Sequence, residues 1–156
     1  MMKNIFRKIL ALLLLLAIGA GSAAASTCEE AARELNRRLA PKIDETELAA
    51  ALNSLNASRN RNLPDKFVTK QQARQAGWQP GRSLWDVAPL KGKSIGGDRF
   101  GNRERKLPDG GRKWREADLD YRGGHRGAKR LLFANDGLRM VTVDHYRTFV
   151  EVPACR

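Results

Sequence analysis

The sequence has 156 residues, with 29 Lys and Arg against 17 Asp and Glu, a formal net charge of +12. That length fits one domain around one hydrophobic core, and the basic balance points to an anionic partner, either nucleic acid or an anionic membrane surface. The two cysteines and two histidines are too far apart to form the close ligand pairs of a zinc site, so no metal site is expected.

Lys3, Arg7 and Lys8 precede an apolar run from Ile9 to Ile18, and the small residues that follow end in Ala23-Ala24-Ala25. This three-part pattern predicts a secretory signal peptide over 1–25, cut after Ala25. The alternative is an uncleaved anchor, since no charge stands between Lys8 and Glu29, but the strongly apolar part is short. Cleavage removes three basic residues and no acidic one, leaving a net charge of +9. A secreted product is expected, extracellular or, in a producer with an outer membrane, periplasmic, with no stable membrane association. In an oxidising compartment the simplest use of Cys28 and Cys155 is one disulfide. Two free thiols or an intermolecular bridge are the other options.

Thr27-Cys28-Glu29-Glu30 has the form of a capping box, and Ala31, Leu35 and Leu39 continue a helical stripe that Pro41 stops. A second helix is predicted over 45–57, capped by Asp44, with Leu48, Leu52 and Leu55 on one face as core. The polar stretch 58–62 reads as a loop. Thr69 and Gln72 make a further capping box for a short helix opened by Lys70 and closed by Gly77. Residues 80–93 are turn-rich, with a brief apolar segment at 84–88.

Beyond that point the hydrophobic period changes to two, predicting strands over 113–119, 129–134, 138–144 and 148–152, with Asn135-Asp136-Gly137 as a hairpin turn. Helices first and strands afterwards argue for an α+β domain, N-terminal helices packed on a C-terminal antiparallel β-sheet. Residues 26–43 read as a helical extension carrying Cys28, and 44–156 as the main domain.

In Trp114-Arg115-Glu116-Ala117-Asp118-Leu119 the alternation turns Ala117 and Leu119 to the core and Glu116 to the opposite face. His145 follows two strands later, and a meander brings it towards Glu116. A carboxylate and an imidazole can divide the work of cleaving RNA. One takes the proton from the 2′-hydroxyl and the other protonates the leaving 5′-oxygen. Arg126, Arg130 and Lys70 can supply the positive charge that the phosphorane oxygens need. Asn102-Arg103-Glu104 offers a carboxylate and backbone amides, the donor and acceptor pattern that favours guanine over adenine.

With these residues in view, the sequence resembles the barnase-like family of secreted, guanyl-preferring bacterial ribonucleases. The resemblance runs from about Asp44 to Val152 and is carried by Leu63-Pro64-Asp65, Thr69-Lys70, Ala76-Gly77-Trp78, Ser94-Ile95-Gly96-Gly97-Asp98, Asn102-Arg103-Glu104, Trp114-Arg115-Glu116-Ala117-Asp118 and Asp144-His145-Tyr146. It implies the microbial ribonuclease fold, with Glu116 as general base, His145 as general acid, and Arg126, Arg130 and Lys70 on the phosphate. It also implies a guanine site from Gly101, Asn102, Arg103 and Glu104, with Phe100 and Tyr146 shaping the pocket. The implied reaction is transesterification to a 2′,3′-cyclic phosphate and then hydrolysis, with RNA as substrate and neither cofactor nor metal. The implied state is a monomer, and the implied partner a barstar-like cytoplasmic inhibitor. Gly101 stands where the family usually has serine, and His125 where it has an aromatic; His125 either stacks on a base or is simply exposed. The segment before Asp44 and the cysteine pair have no counterpart. The competing reading is a basic secreted protein that binds nucleic acid or anionic membranes without catalysis. The Glu116 and His145 pair separates the two, because a binder has no need of it.

Overall fold

The computed structural model describes residues 25–156, so all but Ala25 of the predicted signal peptide lies outside the described residues. Among these, no helix is long and apolar enough to cross a membrane.

Helix α1, Cys28–Arg38, starts where the sequence predicts: the Thr27 hydroxyl accepts from the Glu30 amide, and the Glu30 carboxylate accepts from the Thr27 amide. Helix α2, Glu45–Ala57, begins at Asp44, whose carboxylate accepts from the Glu47 amide. Leu35 of α1 and Leu48, Leu52 and Leu55 of α2 are buried in one cluster with Ala117, Leu131, Phe133 and Val141 from the sheet. Each such leucine contributes about 1.5–3 kcal/mol by leaving water. The segment before Asp44 therefore shares its core with the rest of the molecule.

The sheet has six strands in sequence order: β1 Phe67–Val68, β2 Ser94–Phe100, β3 Trp114–Asp118, β4 Arg130–Ala134, β5 Arg139–Thr142 and β6 Val150–Glu151. β1 runs parallel to β2, and every later pair is antiparallel. The hairpin at 135–137 joins β4 to β5. The last four strands fall inside the predicted ranges but are shorter. β2 was not among the predicted strands, because Gly96 and Gly97 erase its alternation. Between β1 and β2 lie α3, Lys70–Gln75, opened by the Thr69 and Gln72 capping box, and two short 3-10 turns over Leu84–Asp86 and Ala88–Leu90. These pack on Trp78, Ile95 and Tyr121 as a second small core.

At Gly97 (φ +97°) the register of β2 against β3 shifts by one residue. This bulge places Gly96 opposite Ala117 on the helix-packed face, while Asp98, two residues on, lies opposite Glu116 on the other face. The second face carries a third cluster of Leu107, Trp114, Leu132 and Ala134, against which Phe100, Tyr146 and Phe149 pack. Cys28 and Cys155 form the disulfide, which tethers the start of α1 beside the segment following β6.

Candidate active site

The face bearing Glu116 and Asp118 owes its character to the strand period: both side chains leave β3 on the same side, two residues apart. Glu116 is only 6% exposed. Its Oε1 accepts from Lys70 Nζ at 3.3 Å and its Oε2 from the Tyr146 hydroxyl at 2.6 Å. Lys70 reaches it from the first position of α3, and the Lys70 amide donates to Asp98 Oδ2 at 2.9 Å. Asp98, aimed by the Gly97 bulge, thus fixes the start of the helix that delivers the lysine.

Asp118, 2% exposed, takes two arginines. Arg126 forms a fork with it, Nε to Oδ2 at 2.5 Å and Nη2 to Oδ1 at 2.7 Å, and Arg130 Nε lies 2.9 Å from Oδ1. The Asp118 hydrogen bond is the main cause that raises the Arg126 pKa above its ordinary value. Arg130 Nε also donates to the Tyr146 hydroxyl at 3.0 Å, and its Nη1 donates to the carbonyls of Gly127 and Lys129. A continuous polar chain results: Lys70, Glu116, Tyr146, Arg130, Asp118, Arg126. Burial, with the Glu116 hydrogen bond second, pushes the Tyr146 hydroxyl up to about 12, so it stays protonated and donates to the carboxylate.

His145 and Tyr146 sit in a turn after β5, not on a strand, both with left-handed backbones (φ +57° and +66°). Asp144 imposes that turn: its Oδ1 accepts from the Thr142 hydroxyl and from the amides of Arg147 and Thr148, and its Oδ2 from the Thr148 hydroxyl. The Thr148 bonds lead in lowering the Asp144 pKa to about 2. His145 is exposed, with its ring centroid 5.2 Å from that of Tyr146. Tyr146 thus touches both the imidazole, through its ring, and Glu116, through its hydroxyl.

Beside Glu116 opens a cavity of about 660 Å³ lined by Phe100, Asn102, Arg103, Glu104, Tyr146 and Phe149, among others. Phe100 and Tyr146 stack on each other in its lining, centroids 5.4 Å apart. Gly101 and Arg103 are exposed in the loop that forms one wall. The loop is braced by Asn102 (φ +44°), whose amide group spans it: Nδ2 donates to the Leu107 carbonyl, and Oδ1 accepts from the Leu107 amide. Glu104 projects into solvent, its side chain 74% exposed, and pairs with Lys106 Nζ at 2.6 Å. That hydrogen bond lowers its pKa, and Lys106 also donates to the Tyr146 carbonyl at 3.1 Å. His125 is exposed on the loop before Arg126.

The structure thus assembles Lys70, Glu116, Tyr146, Arg126 and Arg130 into one network, and Glu116 and Tyr146 share the lining of the cavity with the 100–104 loop. Asp118, Asp98 and Lys106 are the contributors that sequence reasoning did not single out. Asp118 had a usable signal: it shares the face of Glu116, and Arg126 and Arg130 follow it closely in the sequence. Lys106 had none.

The family model that describes a ribonuclease matches residues 51–153. The chain belongs to the ribonuclease family. It is 50% identical over 96 residues to a ribonuclease of Heyndrickxia coagulans, covering 60% of this chain and 86% of that one. The ribonucleases of Bacillus intermedius and Bacillus pumilus are likewise 50% identical over 96 residues, 60% of this chain and 58% of theirs, so this ribonuclease spans somewhat over half their length. It is an enzyme acting on RNA, and its few helices on a six-stranded, mostly antiparallel sheet are the α+β fold expected of the family.

Proposed function

We propose that the ribonuclease is a secreted, metal-independent endonuclease that cuts single-stranded RNA on the 3′ side of guanosine. The observation that carries this reading is the setting of Glu116, a carboxylate held on both oxygens and facing a cavity walled by a polar loop. Glu116 takes the proton from the 2′-hydroxyl, and the freed oxygen attacks the adjacent phosphorus. His145, exposed in the turn after β5, protonates the departing 5′-oxygen and leaves a 2′,3′-cyclic phosphate; water then opens the ring with the two roles reversed. Arg126, Arg130 and Lys70 hold the phosphorane oxygens, the arginines oriented in advance by Asp118, so little reorganisation is needed when charge develops. Glu104 leaves Lys106 to accept from guanine N1–H and N2–H, while amides of the loop braced by Asn102 donate to O6.

Secretion is supported by the predicted signal peptide and by the disulfide, a bond that persists in oxidising compartments. A monomer with an acidic, barstar-like inhibitor is the arrangement that the family resemblance supports.

The test is cleavage of short RNAs carrying one G, A, C or U, in EDTA, by the wild type and Glu116→Ala. Cutting after G to a cyclic phosphate, with the rate falling about 10²–10⁴-fold in the variant, is the expected result. Binding without cutting by the wild type would assign the protein to the non-catalytic class.

A further inference from the structure

The pairing register places three arginines in one row on the face of the sheet opposite Glu116. Arg99 of β2 lies directly opposite Arg115 of β3, Arg115 opposite Phe133 of β4, and Phe133 opposite Arg139 of β5. Directly opposed residues share a face, and Phe133 and Ala117 fix this one as the helix-packed side. The row crosses three strand intervals, roughly 14 Å at about 4.8 Å each. Arg99 and Arg115 are exposed.

Like charges directly opposed across strands are unfavourable unless something neutralises them. Among the described residues, none of the three forms an ion pair. Arg115 Nη1 donates to the Gly97 carbonyl, and Arg139 donates through Nε and Nη2 to the neutral Asn60 Oδ1. Burial lowers the Arg139 pKa without a carboxylate to oppose it. Asp136, in the adjoining hairpin, is taken by Arg112 at 2.7 Å. Exposed Arg59 and Arg61 flank Asn60 and extend the positive surface.

The row is continuous with the cavity. Arg99 borders the cavity, and β1 covers β2 only at Ser94 and Ile95, so the Arg99 end of β2 is an open sheet edge. A strand held in the cavity can pass round that edge onto Arg115.

We propose that Arg99, Arg115 and Arg139 form a phosphate-binding track for single-stranded RNA extending beyond the cleaved nucleotides. The inference rests on RNA being the substrate, and it makes long RNA a tighter ligand than a dinucleotide without changing the chemistry at Glu116.

The test uses two readouts, one of which needs no cleavage. Affinity for a 2′-O-methylated RNA of about 20 nucleotides is measured against salt concentration, and cleavage of a guanylyl dinucleotide is measured in parallel. For Arg115→Gln the expected result is roughly fivefold weaker binding at about 0.1 M salt, a log–log salt slope shallower by about 0.7, and unchanged dinucleotide cleavage. Arg115→Lys restores both slope and affinity, and Arg99→Gln combined with Arg115→Gln weakens binding further. Unchanged affinity and slope in that double variant, at wild-type melting temperature, would overturn the proposal. So would an equal loss on the dinucleotide, or lost binding to phosphatidylglycerol vesicles with RNA affinity intact. Failure of the wild type to cleave the dinucleotide would remove the catalytic reading and leave the binding measurement to decide the track.

Discussion

Glu116 and Asp118 are separated by one residue, lie on one face and are both buried, yet their surroundings differ. Asp118 is committed on both oxygens to Arg126 and Arg130, and Arg130 is itself only 3% exposed. Replacing Asp118 with Asn leaves a buried guanidinium uncompensated, and urea unfolding is expected to show a loss of about 3–5 kcal/mol. Glu116→Ala leaves Lys70 with a path to solvent, since that side chain is about a third exposed, so its cost falls on turnover while the melting temperature stays near wild type. Asp144 makes a pH-dependent prediction. Its folded pKa, about 2, lies below its ordinary 3.8, so its contribution to stability is full above about pH 4 and is lost as pH falls towards 2. Unfolding curves for Asp144→Asn should therefore lack part of the wild-type decline between pH 4 and 2, and the variant should cleave poorly because its turn carries His145.

The elements differ in how plainly the sequence announces them. Thr27, Asp44 and Thr69 each mark a helix start because a side-chain oxygen three residues before an amide is a local device, readable without knowing the fold. Glu116 was placed correctly by face for a similar reason, since Ala117 and Leu119 are apolar neighbours that need burial. β2 announces nothing, because its information lies in tertiary contacts that glycine permits. A Cβ added at Gly96 would stand 2.7 Å from Phe67 Cδ1 and 3.0 Å from both Ala117 Cβ and Leu63 Cδ1. Gly96→Ala is expected to destabilise by about 1–3 kcal/mol, measured by thermal or urea unfolding, since these neighbours are packed against one another. His145 was expected near a strand end, but the turn that holds it depends on four hydrogen bonds to Asp144, and no alternation pattern contains those.

At the scale of the whole molecule, the two cysteines lie 127 residues apart in sequence and 4.9 Å apart at Cα. Asn56 of α2 supports the junction, donating to the Cys155 carbonyl at 3.0 Å, while the Arg156 amide donates to the Ser26 carbonyl at 3.1 Å. In the chain-entropy account a loop of this length stabilises by about 4–5 kcal/mol. Reduction should lower the melting temperature yet leave cleavage of a short RNA intact at low temperature, because the site network closes without either sulfur. Loss of all cleavage in a folded Cys28→Ala variant would contradict this.

The same bond encloses Lys70, Glu116, Arg126, Arg130 and His145 within one covalent ring. A protease that nicks the backbone once inside that ring releases no fragment: the two pieces remain joined through sulfur and through the shared core. Two cuts are needed before any part of the candidate site can diffuse away.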